Sequence, residues 1–160
     1  MVRPAGPDDR QALQDAIRRL SPEARYARFM SPLRELGPDL LERAVNPGDR
    51  RDLQLVALGN GGAAPAIVAG ARYSAEPDGV ACEFAVAVLD DWQGVGLARL
   101  LLDLLMRAAC QDGFTVMEGY VLASNVPMLT LARKLGFMRM PDSGDPTVYR
   151  IRRTLAHPAK

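Results

Sequence analysis

The spacing of apolar positions changes character along the chain. Leu13, Ala16, Ile17 and Leu20 recur three and four apart, which is one face of a helix. Asp8 and Asp9, just after Pro7, are placed to cap it. Ser21-Pro22-Glu23 restarts a helix, with Ser as N-cap and Pro at the first helical position, carrying Tyr26, Phe29 and Met30. Gly37-Pro38-Asp39 breaks the chain again and opens a short third segment through Leu40, Leu41 and Ala44. Beyond it the pattern becomes strand-like. Leu53 to Leu58 reads as a strand, Gly59-Asn60-Gly61-Gly62 as a turn, and Ala66 to Tyr73 as a second strand. Glu76-Pro77-Asp78-Gly79 then turns into a third, Val80 to Val88, completing an antiparallel meander.

The second half returns to alternating helices and strands. A helix from about Gly96 to Asp112 carries Leu97, Leu100, Leu101, Leu102, Leu104, Leu105, Ala108 and Ala109. Its polar residues Arg99, Asp103 and Arg107 fall four apart, a narrow solvent stripe with an Asp103–Arg107 pair, so the helix should be covered on most sides. It crosses between the strands at Val80 and Phe114, which should therefore lie parallel and adjacent. A strand from Phe114 to Leu122, a helix from about Asn125 to Leu135 and a strand near Val148 to Arg152 follow. No repeat or linker divides the sequence, so one domain over 1–160 is expected, with a loose tail from about 154.

Charge and composition remove several classes of function. The 160 residues carry 20 Lys+Arg against 19 Asp+Glu, a formal charge of +1, and no basic stripe forms, so neither nucleic acid nor a membrane surface is expected as partner. Cys82 and Cys110 lack metal-ligand spacing and His157 is the lone histidine, in a polar tail, so no metal is expected. Two cysteines in apolar context read as buried thiols in a reducing compartment. Met1 to Pro7 has no apolar leader and no stretch reaches membrane-spanning length, which points to a cytoplasmic protein.

The candidate chemistry lies between Glu83 and Ala98. Gln93-Gly94-Val95-Gly96-Leu97-Ala98 joins a strand to the leucine-rich helix, and its bare N–H groups at a helix N-terminus suit an anion. It lacks the Gly-Lys-Ser/Thr ending of a Walker loop and the third glycine of a dinucleotide fingerprint. Alternation places Cys82, Phe84, Val86 and Val88 on one face of the preceding strand, and Ala81, Glu83, Ala85 and Ala87 on the other. A glutamate among alanines in a central strand covered on both sides should be partnered, solvated by trapped water, or raised in pKa. It is either a general base or a structural carboxylate paired with an arginine. Trp92 should pack the loop against the sheet. Tyr120 is a strand residue that could face an acceptor tunnel.

The order Gln-x-x-Gly-x-Ala from Gln93 to Ala98 resembles the pyrophosphate loop of the GNAT N-acetyltransferase superfamily. Asn125 to Phe137, an Asn-led helix ending in Leu-Gly-Phe, is similar to that family's second signature. Leu20 to Phe29, Ala81 to Val86 and Asp91 to Gly94 also resemble the catalytic domain of bacterial protein-lysine acetyltransferases (the Pat branch), whose fused regulatory domains find no counterpart in this sequence. The resemblance implies an α/β GNAT fold: a mixed, mostly antiparallel sheet splayed between two central parallel strands, with helices on both faces. It implies acetyl-CoA as cosubstrate, held by N–H groups from Gly94 to Ala98, by backbone at Val86 and Val88, and by Asn125, which reads equally as a helix N-cap. It implies an N-acyltransferase acting on a primary amine, a protein lysine among the candidates, with Glu83 as base, in a monomer or homodimer. A small-molecule amine as acceptor, or a non-catalytic acyl-CoA sensor, are the alternatives. Many relatives carry a tyrosine four positions before the signature glycine as general acid; this chain has Ala132.

Overall fold

The computed structural model describes residues 1–29, 35–48, 51–60, 65–141 and 144–155. Met30, Gly61, Gly62 and His157, which the sequence places in a helix, a turn and a tail, lie outside those residues. The first helical face becomes α1 (Arg10–Arg19), entered through a single 3-10 turn over Pro7–Asp9. Asp8 and Asp9 were expected to cap this helix; the Asp9 side chain makes no cap bond to α1 and instead closes the preceding 3-10 turn. Its carboxylate accepts from Gly6 N–H at 2.7 Å and from both Arg3 guanidinium nitrogens at 2.7 and 2.9 Å. The Arg3 hydrogen bond holds the Asp9 carboxyl below its usual pKa. Helix α2 (Pro22–Phe29) starts as expected, with Ser21 Oγ accepting from Ala24 N–H at 3.1 Å. Helix α3 (Pro38–Val45) follows Gly37.

The strands are β1 (Val2–Pro4), β2 (Leu53–Gly59), β3 (Ala66–Ala75), β4 (Ala81–Val88), β5 (Val116–Leu122), β6 (Met138–Arg139) and β7 (Val148–Thr154). They form one seven-stranded sheet in the order β1-β2-β3-β4-β5-β7-β6. Among the described residues only β4 and β5 pair in parallel, across the crossover helix α4 (Leu97–Gln111), as the spacing required; the other neighbours are antiparallel. Helix α5 (Val126–Lys134) joins β5 to β6, and Gly136 beyond its C-cap takes φ +90°, a conformation open to glycine. The two edge strands β1 and β6 were not predicted. They are three and two residues long, too short to show a period. Thr154 ends β7 and Leu155 is buried; the rest of the expected tail, 156–160, lies outside the described residues.

Helices cover both faces. Leu101, Leu102 and Leu105 of α4 and Ala132 of α5 join Phe84, Met117 and Phe114 in the main core, while Leu13 of α1 and Ala44 and Val45 of α3 pack on Val56 and Ile67 across the sheet. Helix α4 is less enclosed than its leucines imply, because Leu100 is 45% exposed near its start. Cys82 is buried and Cys110 only partly so. Trp92 packs as expected. Its ring lies where a Cβ on Gly59 would stand 2.7 Å away, which explains glycine at the end of β2.

Candidate functional site

The ladder between the parallel strands is short. It runs Ala81↔Val116, Cys82↔Met117 and Glu83↔Glu118, and there it ends. At the next level the Phe84 ring lies across Gly119, where a Cβ would meet it at 2.3 Å, and stacks at 5.2 Å on Phe137. Beyond this wedge β4 and β5 no longer pair. Parity shows what is left unpaired. Leu89 N–H bonds Val68 and Ala81 C=O takes Glu76 N–H, so odd-numbered β4 groups face β3; Val80 C=O takes Thr115 N–H, so even-numbered ones face β5. Val86 N–H and C=O and Val88 N–H therefore project into the gap, an open peptide edge that an amide-bearing ligand can pair with. Gln93 Nε2 takes the Val88 carbonyl at 3.1 Å.

The chain leaves β4 through a 3-10 turn over Asp90–Trp92 and enters α4 by two glycines, Gly94 at φ +80° and Gly96 at φ +88°. A Cβ at either would meet nothing within 4 Å, so the backbone there is bare. Leu100 N–H reaches back to Gly96 C=O, leaving the amides of Leu97, Ala98 and Arg99 at the helix mouth without carbonyls behind them. Those donors and the helix dipole face the same open groove of about 1650 Å³. Val86, Val88, Gln93, Gly94, Gly96, Leu97, Ala98 and Asn125 all line it, opposite Ala24 and Ala27 of α2. Val95, also a candidate, stands outside the lining and is 68% exposed. Asn125 caps α5, its Oδ1 accepting from Met128 N–H at 3.3 Å.

Glu83 departs from expectation. It is exposed rather than buried, although its backbone is still paired in register with Ser74 on one side and Glu118 on the other. Its pKa is nevertheless raised, by desolvation first and by the neighbouring charges of Glu76 and Glu118, against Arg28 and Arg72. No salt bridge holds it among the described residues. A carboxylate raised in pKa and without an ion-pair partner is a stronger proton acceptor than an ordinary glutamate, as a general base requires.

The residues around Glu83 were missed at the level of sequence. Its register partner Glu118 is buried and tied to Arg150 at 2.8 Å and to Arg152 at 3.7 Å. Its other register partner is Ser74, whose Oγ accepts from Arg72 at 2.7 Å. A charged residue in the middle of the Phe114–Leu122 strand was the available signal for Glu118, the same signal that singled out Glu83. Tyr120 shares this face through its pairing with Arg150 and is 43% exposed. Ala132 is 1% exposed and carries no proton donor. Among the described residues no group of three His, Cys, Asp or Glu could hold a metal ion, and no helix is long and apolar enough to cross a membrane.

Comparison with known proteins gives a consistent result. Residues 14–137 match the acetyltransferase (GNAT) family model. The chain is 33% identical over 153 residues to acetyltransferase PA5475 of Pseudomonas aeruginosa, covering 94% of this chain and 82% of that protein. The GNAT domain of S. lividans PAT superposes with a TM-score of 0.84 at 26% identity, covering 96% of this chain and 89% of that one. YncA of Salmonella typhimurium, a putative acetyltransferase solved with its cofactor acetyl-CoA, superposes at 0.75 with 22% identity over 100% and 96% of the two chains.

Proposed function

Because this chain belongs to the GNAT family of acetyltransferases, we propose that it moves an acetyl group from acetyl-CoA to a primary amine, with Glu83 as general base. The observation that carries this reading is the coincidence of three features at one place: the end of the β4–β5 ladder, the glycine-opened mouth of α4, and a raised, unpaired carboxylate at the level of the split.

The groove fits the group. The pyrophosphate would take the orphan amides from Gly94 to Ala98, where no side chain intervenes and the dipole favours negative charge. The pantetheine amides would pair with Val86 and Val88, replacing the strand that β5 no longer supplies. Asn125 would add its amide NH₂, since its oxygen is engaged at the cap. Acetyl-CoA supplies a thioester carbonyl activated toward attack. The acceptor would approach from the Glu83 face and give up a proton to that carboxylate directly or through water, freeing its nitrogen to bond the acetyl carbon as the C–S bond breaks. The proton shed by nitrogen ends on the coenzyme sulfur. Ala132 can deliver none, so solvent or the protonated Glu83 returns it.

The acceptor class includes a protein lysine, as the resemblance to the Pat branch implies, and small amines. Thiol release from acetyl-CoA against both kinds of amine tests the reading. Turnover with a primary amine, lost in Glu83→Gln, is expected. Tight acetyl-CoA binding without turnover on any amine would instead make the protein an acyl-CoA sensor.

A further inference from the structure

On the Glu83 side of the sheet, beneath α1 and α2, lies a partly enclosed cavity of about 60 Å³. Leu13, Ile17, Leu20, Ile67 and Ala69 make it apolar, and that volume holds roughly four waters or the few heavy atoms of a short side chain. Its polar lining is chiefly two arginines, Arg28 and Arg72. It adjoins the groove just described, since Ala87 of β4 lines both.

The two guanidiniums are placed for an anion. Arg72 is braced from behind: Asp52 stands 3.8 Å from it and also binds Arg43 at 3.2 Å. Its Nη2 donates to Ser74 Oγ, and Ser74 is the register partner of Glu83, so the charged head reaches from the cavity to the base. Arg28 lies on the last turn of α2, over the Phe29 ring at 4.5 Å, and makes no hydrogen bond or ion pair with the described residues. Desolvation, and then the Arg72 charge, push its pKa down to about 10, with Glu83 opposing. A desolvated cation beside a second cation is unfavourable unless an anion joins them. Glu83 is the carboxylate that both feel, yet neither bonds it.

We propose that this pocket is the acceptor site and that the acceptor is an α-amino acid with a short apolar side chain. Its carboxylate lies against Arg28 and Arg72, its side chain enters the cavity, and its amine faces Glu83. The proposal rests on acetyl transfer at the β4–β5 split and specifies what is acetylated there. In an α-amino acid the amine and the acid are joined through one carbon, matching a base and two guanidiniums that share one patch. A lysine side chain in a protein brings its ammonium with no accompanying anion, and two guanidiniums beside the base repel it. The bond changes are those of the general reaction, and the products are an N-acetyl amino acid and the coenzyme thiol.

The test follows thiol release from acetyl-CoA with L-methionine and L-leucine, with 3-(methylthio)propylamine and isopentylamine, which lack the acid, and with an N-acetylated peptide holding one lysine. The amino acids should exceed their matched amines in kcat/KM by about a hundredfold. Arg28→Gln should raise the KM for methionine about ten- to a hundredfold, change kcat by only a few fold, and leave the acid-free amines no worse, since it removes one repelling cation; Arg28→Lys should restore part of the loss. Arg28 donates no hydrogen bond, so thermal unfolding should show a folded Arg28→Gln protein. Preference for the acid-free amines or the peptide lysine, or an Arg28→Gln variant with unchanged KM, overturns the inference and leaves acetyl transfer standing. So does a preference for succinyl-CoA as donor that Arg28→Gln abolishes, because the arginines would then serve the acyl group. If no amine releases thiol, acetyl transfer itself is refuted and the inference falls with it.

Discussion

Replacing Gly96 by alanine separates the two things this residue does. At φ +88° an L-residue pays about 1–2 kcal/mol for the left-handed conformation. For a chain of this size that lowers the melting temperature by roughly 2–8 °C. No clash adds to it, since the new Cβ meets nothing within 4 Å. The methyl group does stand at the mouth of α4, in the path by which a pyrophosphate reaches the amides of Gly96, Leu97 and Ala98. Holding the anion off one charge-assisted hydrogen bond costs about 1.5–3 kcal/mol, or about ten- to a hundred-and-fifty-fold in affinity. Gly48 is the control. It also has positive φ (+61°) and open space, but it follows α3, away from the groove. Calorimetric titration with acetyl-CoA beside thermal unfolding should show both variants destabilised alike, and only Gly96→Ala weakened in binding. A folded Gly96→Ala protein with wild-type affinity would refute the anion-loop argument. Valine would be a poorer probe than alanine, because a β-branched residue at this φ strains the fold further.

Gly119→Ala drives a Cβ into the Phe84 ring at 2.3 Å, so it should destabilise by about 1–3 kcal/mol and disturb the split; a denaturant midpoint unchanged from wild type would show that the wedge yields freely. Asn125→Ser keeps an oxygen to cap α5 and removes the amide NH₂, so stability should hold while acetyl-CoA affinity falls. Equal affinity in titration would leave Asn125 as a cap alone. Asn125→Ala should lose about 0.5–2 kcal/mol of stability in thermal unfolding as well.

Much of this architecture was legible because strong local signals agreed with the fold. The apolar run from Leu97 to Ala109 between two strands required a crossover, and the crossover required the parallel pair that β4 and β5 form. Ser21-Pro22 and Leu135-Gly136 marked helix ends by chemistry that does not depend on tertiary context. The failures share a cause. Asp9 looked like a cap for α1, but its carboxylate is shared between Gly6 N–H and Arg3, and Arg3 belongs to an edge strand with no readable period. The length of the β4–β5 ladder could not be read either. It ends where Phe84 meets Gly119 across two strands, and the exposure of Glu83, still inside the ladder, was not legible in the alternation either. Arg28, Arg72, Glu118 and Arg150 reach one patch from four separate elements, a convergence that linear spacing does not encode.

The dependence of kcat/KM on pH, compared between wild type and Glu83→Gln, tests the central claim most directly. A carboxylate base works in its ionised form, and the Glu83 pKa is raised, so the acid limb should lie above the usual 4.5 and activity should rise with pH through it. The sign for stability is opposite. The native state holds this proton more tightly than the unfolded chain, so the contribution to stability is largest at low pH and is lost as pH rises past the raised pKa. Glu83→Gln should therefore unfold at or above the wild-type temperature at neutral pH. It should lose turnover by about a hundredfold or more, retain acetyl-CoA affinity, and lose the acid limb. The same limb and near-wild-type turnover in a folded Glu83→Gln protein would contradict the account.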